Sequence, residues 1–414
     1  MKKWLSLLLA AALLVSCASA LAETTTIDGT ENRHIKVNPA GDNTVEEGVS
    51  PTTGLTLSDY DLPVGYSGLA VTGEYKPILV QIDNTYGGIS GTMTNDSGEE
   101  FTAVYAPWGL SYCDVLYETP LYSYGATRIS GLFADVLPTD VGPVRSARVG
   151  HAWLREEWGA GFVFWGAQKY ARTNVELIFT ATGVSKQKYF IFSGTNGGKA
   201  WNQYMTRHKG TGYKAPSNAT ADLAGLSTLL PEGYEYPNHA FLFTDDIPEG
   251  DPAYTVNVYW GTYYDSMYEY DADSNAYYRY MVYPDGQIAP YEDRETQSQF
   301  AFNNLIIQWT DVEWSRSDAP VAKYLPGDVV KDIMNGSITG KKVNGANKFY
   351  SYTGGGEGNA DYFMGGTHST GYWVHDTYNT RTVFYDADGN EKALQRGKTM
   401  IITLPLENKL TYED

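Results

Sequence analysis

The pattern of apolar residues changes near the middle of the chain, and this change constrains the fold more than any other feature of the sequence. In the first half, short runs of Ile, Leu and Val alternate with segments of helical period, as in residues 76–84 and 144–158. From residue 254 onward, alternating apolar and polar residues flank turn sequences, which is typical of β-hairpins. We therefore predict an α+β protein in which an N-terminal α/β domain precedes a mainly antiparallel β domain.

Composition divides the chain into five segments. Residues 23–49 are rich in Thr, Gly, Asn and acidic residues and have no apolar period, so we expect a flexible tether there. The predicted segments are a signal peptide at 1–22, the tether at 23–49, the α/β domain at 50–230, a linker at 231–252 and the β domain at 253–414. The predicted strands are residues 76–84, 114–119, 128–136, 161–165, 254–259, 267–270, 277–281, 304–309, 382–385 and 400–404, and the predicted helices are 144–158, 169–182 and 321–335.

The first 22 residues have the features of a secretion signal. Lys2 and Lys3 precede the apolar run 4–15, which is shorter than the roughly 20 residues that a membrane-spanning helix needs. The sequence Leu-Val-Ser-Cys that ends at Cys17 resembles a lipobox, in which Cys17 would be acylated, whereas cleavage after Ala22 would secrete the protein. We predict an extracytoplasmic protein, either secreted or held at the membrane surface by a lipid on Cys17.

Charge and metal-ligand spacing exclude several classes of function. The chain has 49 acidic and 30 basic residues, a formal net charge of −19, which argues against a nucleic-acid partner. Cys17 and Cys113 are the two cysteines, so lipidation or removal of Cys17 would leave no intrachain disulfide. No two of the six histidines are four residues apart, and we predict neither a metal site nor a cofactor. His151, on the apolar face of a predicted helix, is expected to be a core residue.

The most informative motif is Val-Gly-Pro-Val-Arg-Ser-Ala-Arg at residues 141–148. It is predicted to open the helix 144–158, with Arg145, Ser146 and Arg148 at the helix N-terminus, where an anion is favoured. Two guanidinium groups would add bidentate recognition of a phosphate or a carboxylate. The alternative is that these arginines form internal ion pairs with carboxylates of the core. The three carboxylates that could serve are Asp83, Glu118 and Asp140.

Two carboxylates offer a second kind of chemistry. Asp83 and Glu118 each lie at the end of a predicted strand and could face one another across a cleft, as the two carboxylates of a glycoside hydrolase do. No residue is assigned a catalytic role on this evidence. The candidate ligand-binding residues are Asp83, Asn84, Glu118, Arg128, Arg145, Ser146 and Arg148.

These motifs together resemble the YerB-like bacterial lipoproteins, and the resemblance covers residues 50–404. The matching strings are Ser-Pro-Thr-Thr-Gly-Leu at 50–55, Ile-Asp-Asn at 82–84, Val-Leu-Tyr-Glu at 115–118, Thr-Arg at 127–128, the motif 141–148, and the C-terminal segments 304–308, 382–389 and 397–399. The resemblance implies a lipoprotein with two domains of unknown function and implies no reaction.

The chain departs from the family pattern at three positions. The resemblance implies histidines where this chain has Thr85, Trp165 and Ser217. Because all three are replaced together, we predict that they form one cluster in relatives, a metal or acid–base site whose chemistry this chain lacks. The chain also has extra stretches at about 85–106 and about 313–366.

These observations predict a non-enzymatic lipoprotein that binds an anionic or polar ligand of the cell envelope, or an envelope protein. The alternative is a cell-wall glycan hydrolase that uses Asp83 and Glu118. A third interpretation is that the candidate residues form a structural network of ion pairs and that a partner binds elsewhere.

Overall fold

A computed structural model describes residues 23–85, 91–94, 100–103, 106–121, 125–167, 175–187, 189–209, 212–237, 239–310 and 356–414. Five features predicted from the sequence lie wholly or partly outside the described residues. They are the signal peptide 1–22 with Cys17, the helix at 321–335 and the beginning of the helix at 169–182, together with most of the two extra stretches.

The described residues form 24 strands, four α-helices and four short 3-10 helices. The strands are β1 (Thr24–Ile27), β2 (Ile78–Ile82), β3 (Gly91–Thr94), β4 (Glu100–Ala103), β5 (Val115–Pro120), β6 (Thr127–Phe133), β7 (Gly161–Phe164), β8 (Ile191–Ser193), β9 (Met205–Arg207), β10 (Ala219–Ala221), β11 (Phe243–Thr244), β12 (Asp251–Pro252), β13 (Thr255–Val258), β14 (Asp265–Asp271), β15 (Ala276–Val282), β16 (Ile288–Pro290), β17 (Ala301–Phe302), β18 (Asn304–Thr310), β19 (Gly356–Met364), β20 (Thr367–His375), β21 (Val383–Asp386), β22 (Leu394–Gln395), β23 (Thr399–Pro405) and β24 (Leu410–Glu413). The α-helices are α1 (Leu69–Thr72), α2 (Val149–Trp158), α3 (Val175–Ala181) and α4 (Leu223–Ser227), and the 3-10 helices are Leu57–Asp59, Leu110–Tyr112, Val184–Lys186 and Ala200–Tyr204.

An eleven-stranded sheet runs through both halves of the chain. Its order is β12-β20-β19-β18-β23-β5-β6-β2-β7-β8, with β21 beside β20. The halves join where β23 pairs in parallel with β5, in a register that places Ile402 opposite Glu118. The predicted fold class is confirmed, because an α/β half precedes a mostly antiparallel half. The two domains nevertheless share one sheet and one continuous hydrophobic core.

A second sheet is formed by strands of the C-terminal half together with β1. Its seven strands follow the order β1-β24-β13-β14-β15-β16, with β17 beside β15, and every pair is antiparallel. The hairpin β14–β15 turns at residues 272–275, where Asp271 accepts hydrogen bonds from the backbone and hydroxyl of Ser274. This is the hairpin that the alternating pattern predicts.

The structure corrects the predicted flexible tether at 23–49. Strand β1 pairs with β24, and Arg33 Nη1 lies 3.0 Å from both carboxylate oxygens of the buried Asp361. Gly29 packs against the indole of Trp309. These three partners lie more than 270 residues away, so the local composition could not reveal them. Parts of the predicted linker at 231–252 likewise form strands, since β11 pairs with β22 and β12 pairs with β20.

The helix predicted at 144–158 begins five residues later than expected, because α2 starts at Val149. The preceding segment is extended. Val144 N donates to Ala219 O and Arg145 N donates to Gln81 O, both at 2.8 Å. These bonds to neighbouring strands satisfy the backbone groups that a helical turn would have used. Arg145 and Arg148 therefore precede the helix instead of lying in its first turn.

Candidate functional site

Asp83 is the fully buried centre of a polar cluster just after the carboxyl end of β2. Its carboxylate lies 3.2 Å from Arg128 Nη1 and 3.0 Å from Arg145 Nε. Ser217 Oγ donates a hydrogen bond of 2.6 Å to it, and the Thr85 hydroxyl donates a second. Burial alone would raise the pKa of Asp83, but Arg128 and Arg145 hold that pKa below its usual value. Asp83 is therefore a carboxylate at neutral pH.

Arg145 forms an ion pair with Asp83. The Nε atom faces Asp83 Oδ2, and 14% of the side chain is exposed. Among the described residues, Nη1 and Nη2 of Arg145 have no hydrogen-bond partner. We predicted three possible carboxylate partners for this arginine, Asp83, Glu118 and Asp140, and it pairs with Asp83. Asp140 instead lies 3.1 Å from His208 Nε2.

Arg207, on β9, lies beside Arg145. Its Nη1 donates to Pro216 O (2.9 Å) and to Asn218 Oδ1 (3.3 Å), and its guanidinium stands 4.2 Å over the ring of Trp165. The backbone N–H of Trp165 donates to Arg145 O (2.9 Å), which ties the two arginines together. Partial burial and the positive charge of Arg145 lower the pKa of Arg207. The two guanidinium groups therefore repel one another.

Arg148 and His151 continue the cluster behind Arg128. Arg148 Nη1 donates to the carbonyls of Ser146 and Ala147. His151 is buried, accepts from the Arg148 backbone N–H at Nδ1 (3.1 Å) and contacts the Thr119 hydroxyl at Nε2 (3.0 Å). Burial, then the charges of Arg128 and Arg148, hold the pKa of His151 well below its usual value. The prediction that His151 is a core residue is confirmed, and its imidazole is neutral.

We call Arg128, Arg145, Arg148 and Arg207 the arginine cluster. Arg128 and Arg145 share the one carboxylate of Asp83, while Arg148 and Arg207 donate to uncharged carbonyl and amide oxygens. The chain as a whole carries a formal charge of −19. A group of arginines on so acidic a protein favours an anion at this place.

Asn84 and Glu118 lie in a separate buried network. Glu118 Oε1 accepts from the Thr127 hydroxyl (2.6 Å) and from Asn84 Nδ2 (3.0 Å), and Oε2 accepts from Arg279 Nη2 (2.8 Å). Tyr264 OH donates to Asn84 O (2.7 Å). Since Arg279 and Tyr264 belong to the C-terminal half, this network joins the two halves. Asp83 and Glu118 are both fully buried and pair with different arginines.

The structure thus brings together five of the seven candidate residues. Asp83, Arg128, Arg145 and Arg148 belong to the cluster, and Ser146 lies in it but donates its hydroxyl to Trp165 O (3.1 Å). Sequence reasoning missed Arg207, which no motif marks. It lies 62 residues from Arg145 and reaches it through the β9–β10 hairpin.

Two of the three positions where the resemblance implies histidines contact Asp83, and the third lies beside Arg207. Thr85 and Ser217 both donate to Asp83. Trp165 lies under Arg207, which in turn bonds to the carbonyl of Pro216. Three positions far apart in sequence therefore lie near one another in this chain. That relatives carry a histidine cluster there stays a prediction.

Neither a metal centre nor a membrane-spanning helix is found in the described part of the chain. No group of three or more His, Cys, Asp or Glu side chains there is arranged to hold a metal ion. None of the described helices combines the length and the apolarity needed to cross a bilayer.

Family comparisons support the two-domain layout. Residues 99–230 match the N-terminal domain of a protein family of unknown function, DUF3048, and residues 255–401 match the C-terminal domain of the same family. The crystal structure of the YerB protein from Bacillus subtilis is similar, with a TM-score of 0.56 and 20% identity over 86% of this chain and 96% of that chain. At that identity the likeness concerns the fold. No curated protein matches the sequence significantly.

Proposed function

This chain belongs to the DUF3048 family of proteins of unknown function, and we propose that it is a non-enzymatic binding module that receives an anionic ligand at its arginine cluster. The ligand would be a component of the cell envelope or an acidic group on an envelope protein. A lipid on Cys17 would hold the module at the extracytoplasmic surface of the cell membrane, as the lipobox indicates.

One observation carries this proposal: Arg145 is held by a buried carboxylate while its two terminal nitrogens remain unused by the described residues. An arginine that is ion-paired at Nε and open at Nη1 and Nη2 can offer both terminal nitrogens to a carboxylate or a phosphate. Asp83, Arg128 and Ser217 form a buried floor that keeps the fork in place. The cluster therefore has a buried network of ion pairs and, at Arg145, a group that is available to bind a ligand.

The hydrolase alternative has less support. Asp83 and Glu118 are both fully buried, and each is paired with arginine. A general acid needs a raised pKa, whereas the pKa of Asp83 is lowered. Glycoside hydrolysis also needs both carboxyl groups to reach the same sugar, and these two point into different networks.

Ligand screening by thermal shift tests the binding module. The full chain should show a rise in melting temperature with inorganic anions or with wall fragments that carry phosphate or carboxylate groups. Arg145→Gln should lose that rise, because glutamine can still donate to Asp83 but offers no charged fork. Arg396→Gln removes one charge from an exposed ion pair with Asp245 and should respond like the wild type.

If Arg145→Gln has the wild-type melting temperature and keeps the full ligand response, Arg145 is not part of the site. If no anion raises the melting temperature of the wild type, the cluster has a structural role only. The melting temperatures of the variants without ligand separate loss of binding from loss of fold.

Fractionation of a bacterial host tests the lipid anchor. The wild type should sediment with membranes, and Cys17→Ser should move it to the soluble extracytoplasmic fraction, since the acyl chain supplies the membrane affinity. The mass of the mature N-terminus gives the cleavage site directly. An unmodified N-terminus at Glu23 would support ordinary secretion instead.

A further inference from the structure

We infer that the chain has a ligand site apart from the arginine cluster, a cavity beside α1 that takes a small organic cation with an apolar body. The cavity has a volume of about 570 Å³. Sites for small molecules usually measure about 300–1,000 Å³. None of its lining residues in the described ranges belongs to the arginine cluster. The inference therefore does not depend on the proposed function.

The cavity lies where the predicted tether and the predicted linker fold against the α/β half. Its walls come from the end of the tether and the turn that follows, from α1 and from the linker. Asn43 Nδ2 donates to Ala240 O (3.0 Å), which ties the tether to the linker. Leu57 N donates to Gly48 O (2.8 Å), which closes the turn. These bonds form without a ligand, so the cavity is preformed and binding costs less ordering.

Most of the lining is apolar, and its aromatic part is a pair of tyrosines. The ring centres of Tyr75 and Tyr236 are 6.3 Å apart, with an interplanar angle of 90°. Tyr236 also packs at 80° against Tyr234, which supports its ring from another side. Aromatic side chains bury an apolar body well, and they also attract a positive charge over the ring.

The charged lining residues are Glu46 and Glu47, and no basic residue of the described ranges lines the cavity. Both glutamates are exposed, and neither carboxylate has an ion pair or a hydrogen bond with the rest of the described chain. Lys76, which follows Tyr75 in the sequence, is paired with Glu74 (2.5 Å). Two unpaired carboxylates beside an apolar cavity favour a ligand with an ammonium group and disfavour an anion.

Isothermal titration of the full chain with three ligands of one apolar body tests the inference. Phenethylamine is a cation at neutral pH, phenethyl alcohol is neutral and hydrocinnamate is an anion. The amine should bind about fivefold or more tightly than the alcohol, because it adds attraction to the rings and to the carboxylates. Added salt should reduce that difference. Hydrocinnamate bound at the arginine cluster would not compete with the amine, so competition assigns each signal to its site.

Variants assign the effect to the cavity. Glu46→Gln combined with Glu47→Gln should remove most of the preference for the amine and leave the alcohol unchanged, since glutamine keeps the size but not the charge. Tyr236→Leu should weaken the amine more than the alcohol, because leucine is apolar without a ring. Leu57→Trp should fill the cavity and weaken both ligands. Glu249→Gln is the matched control, because Glu249 is exposed and lies outside the lining.

Two kinds of result would overturn the inference. If the alcohol binds as tightly as the amine, or if the double glutamate variant keeps the full preference, the cavity does not select a cation. If neither ligand binds, or if a Leu57→Trp protein with a normal melting temperature binds both as the wild type does, the cavity is not the site. Neither result bears on the arginine cluster, which anions and Arg145→Gln test separately.

Discussion

Replacing Arg279 by methionine should lower the free energy of unfolding by about 3–5 kcal/mol, one of the two largest effects expected in this protein. Arg279 is fully buried, its Nη2 donates to Glu118 Oε2 (2.8 Å), and its guanidinium lies 4.4 Å from the ring centre of Tyr291. Methionine fills similar space but leaves Glu118 as a buried, unpaired charge. Because Glu118 lies on β5 and Arg279 on β15, the loss falls on the contact between the two halves.

Urea unfolding of the single and double variants measures this effect. Glu118→Gln combined with Arg279→Met should be less destabilised than the sum of the single variants, since neither charge is then left unpaired. Arg294→Met is the matched control, because Arg294 also stacks on a tyrosine (Tyr213) but is exposed. If Arg279→Met unfolds within about 1 kcal/mol of the wild type, the pair behaves as a surface ion pair does and the network is not what joins the halves.

Asp83→Asn should also cost about 3–5 kcal/mol at neutral pH, because it leaves the buried Arg128 and the half-buried Arg145 without their negative partner. The pKa of Asp83 is lowered in the folded protein, so its contribution is present above the unfolded pKa of about 3.9. That contribution is lost as the pH falls through the folded pKa. The difference between wild type and variant should therefore be large near neutrality and shrink below about pH 4.

Chemical denaturation across this pH range gives the difference directly. Asp388→Asn changes an exposed carboxylate and should show no such difference. A difference between wild type and Asp83→Asn that grows as the pH falls would contradict the assigned sign, since it would mean that Asp83 is protonated at neutral pH in the folded state.

Local patterns predicted the strands well and the helix starts less well. The runs at 76–84 and 304–309 form β2 and β18, since buried strands in this chain are near-continuous in Ile, Leu and Val. The start of α2 was misplaced because residues 144–148 have a helical apolar period, yet their backbone groups bond to β2 and to Ala219. The apolar period of a segment indicates which side chains face the core. It does not indicate which neighbouring strand forms hydrogen bonds with the backbone.

The candidate site, too, was predicted from the sequence only in part. The Asp-Asn after β2 and the motif 141–148 identified Asp83 and Arg145, and the Thr-Arg string at 127–128 identified Arg128. Charged residues beside a buried strand need partners. Glu118 and Asn84 were grouped with them, but they belong to the network with Arg279. Arg207 carried no sequence signal, since a lone arginine on a short hairpin is ordinary.

By itself, the sequence determined the order of domains, the class of fold, most core strands and the carboxylate at the end of β2, because each depends on residues within one or two turns of chain. Only the tertiary structure decided which charges meet. It placed Arg207 beside Arg145, paired β1 with β24 at the far end of the chain, and separated Glu118 from Asp83. Ion pairs and strand edges are selected by distance and burial in the folded state, and partners tens to hundreds of residues apart leave no local pattern from which to infer them.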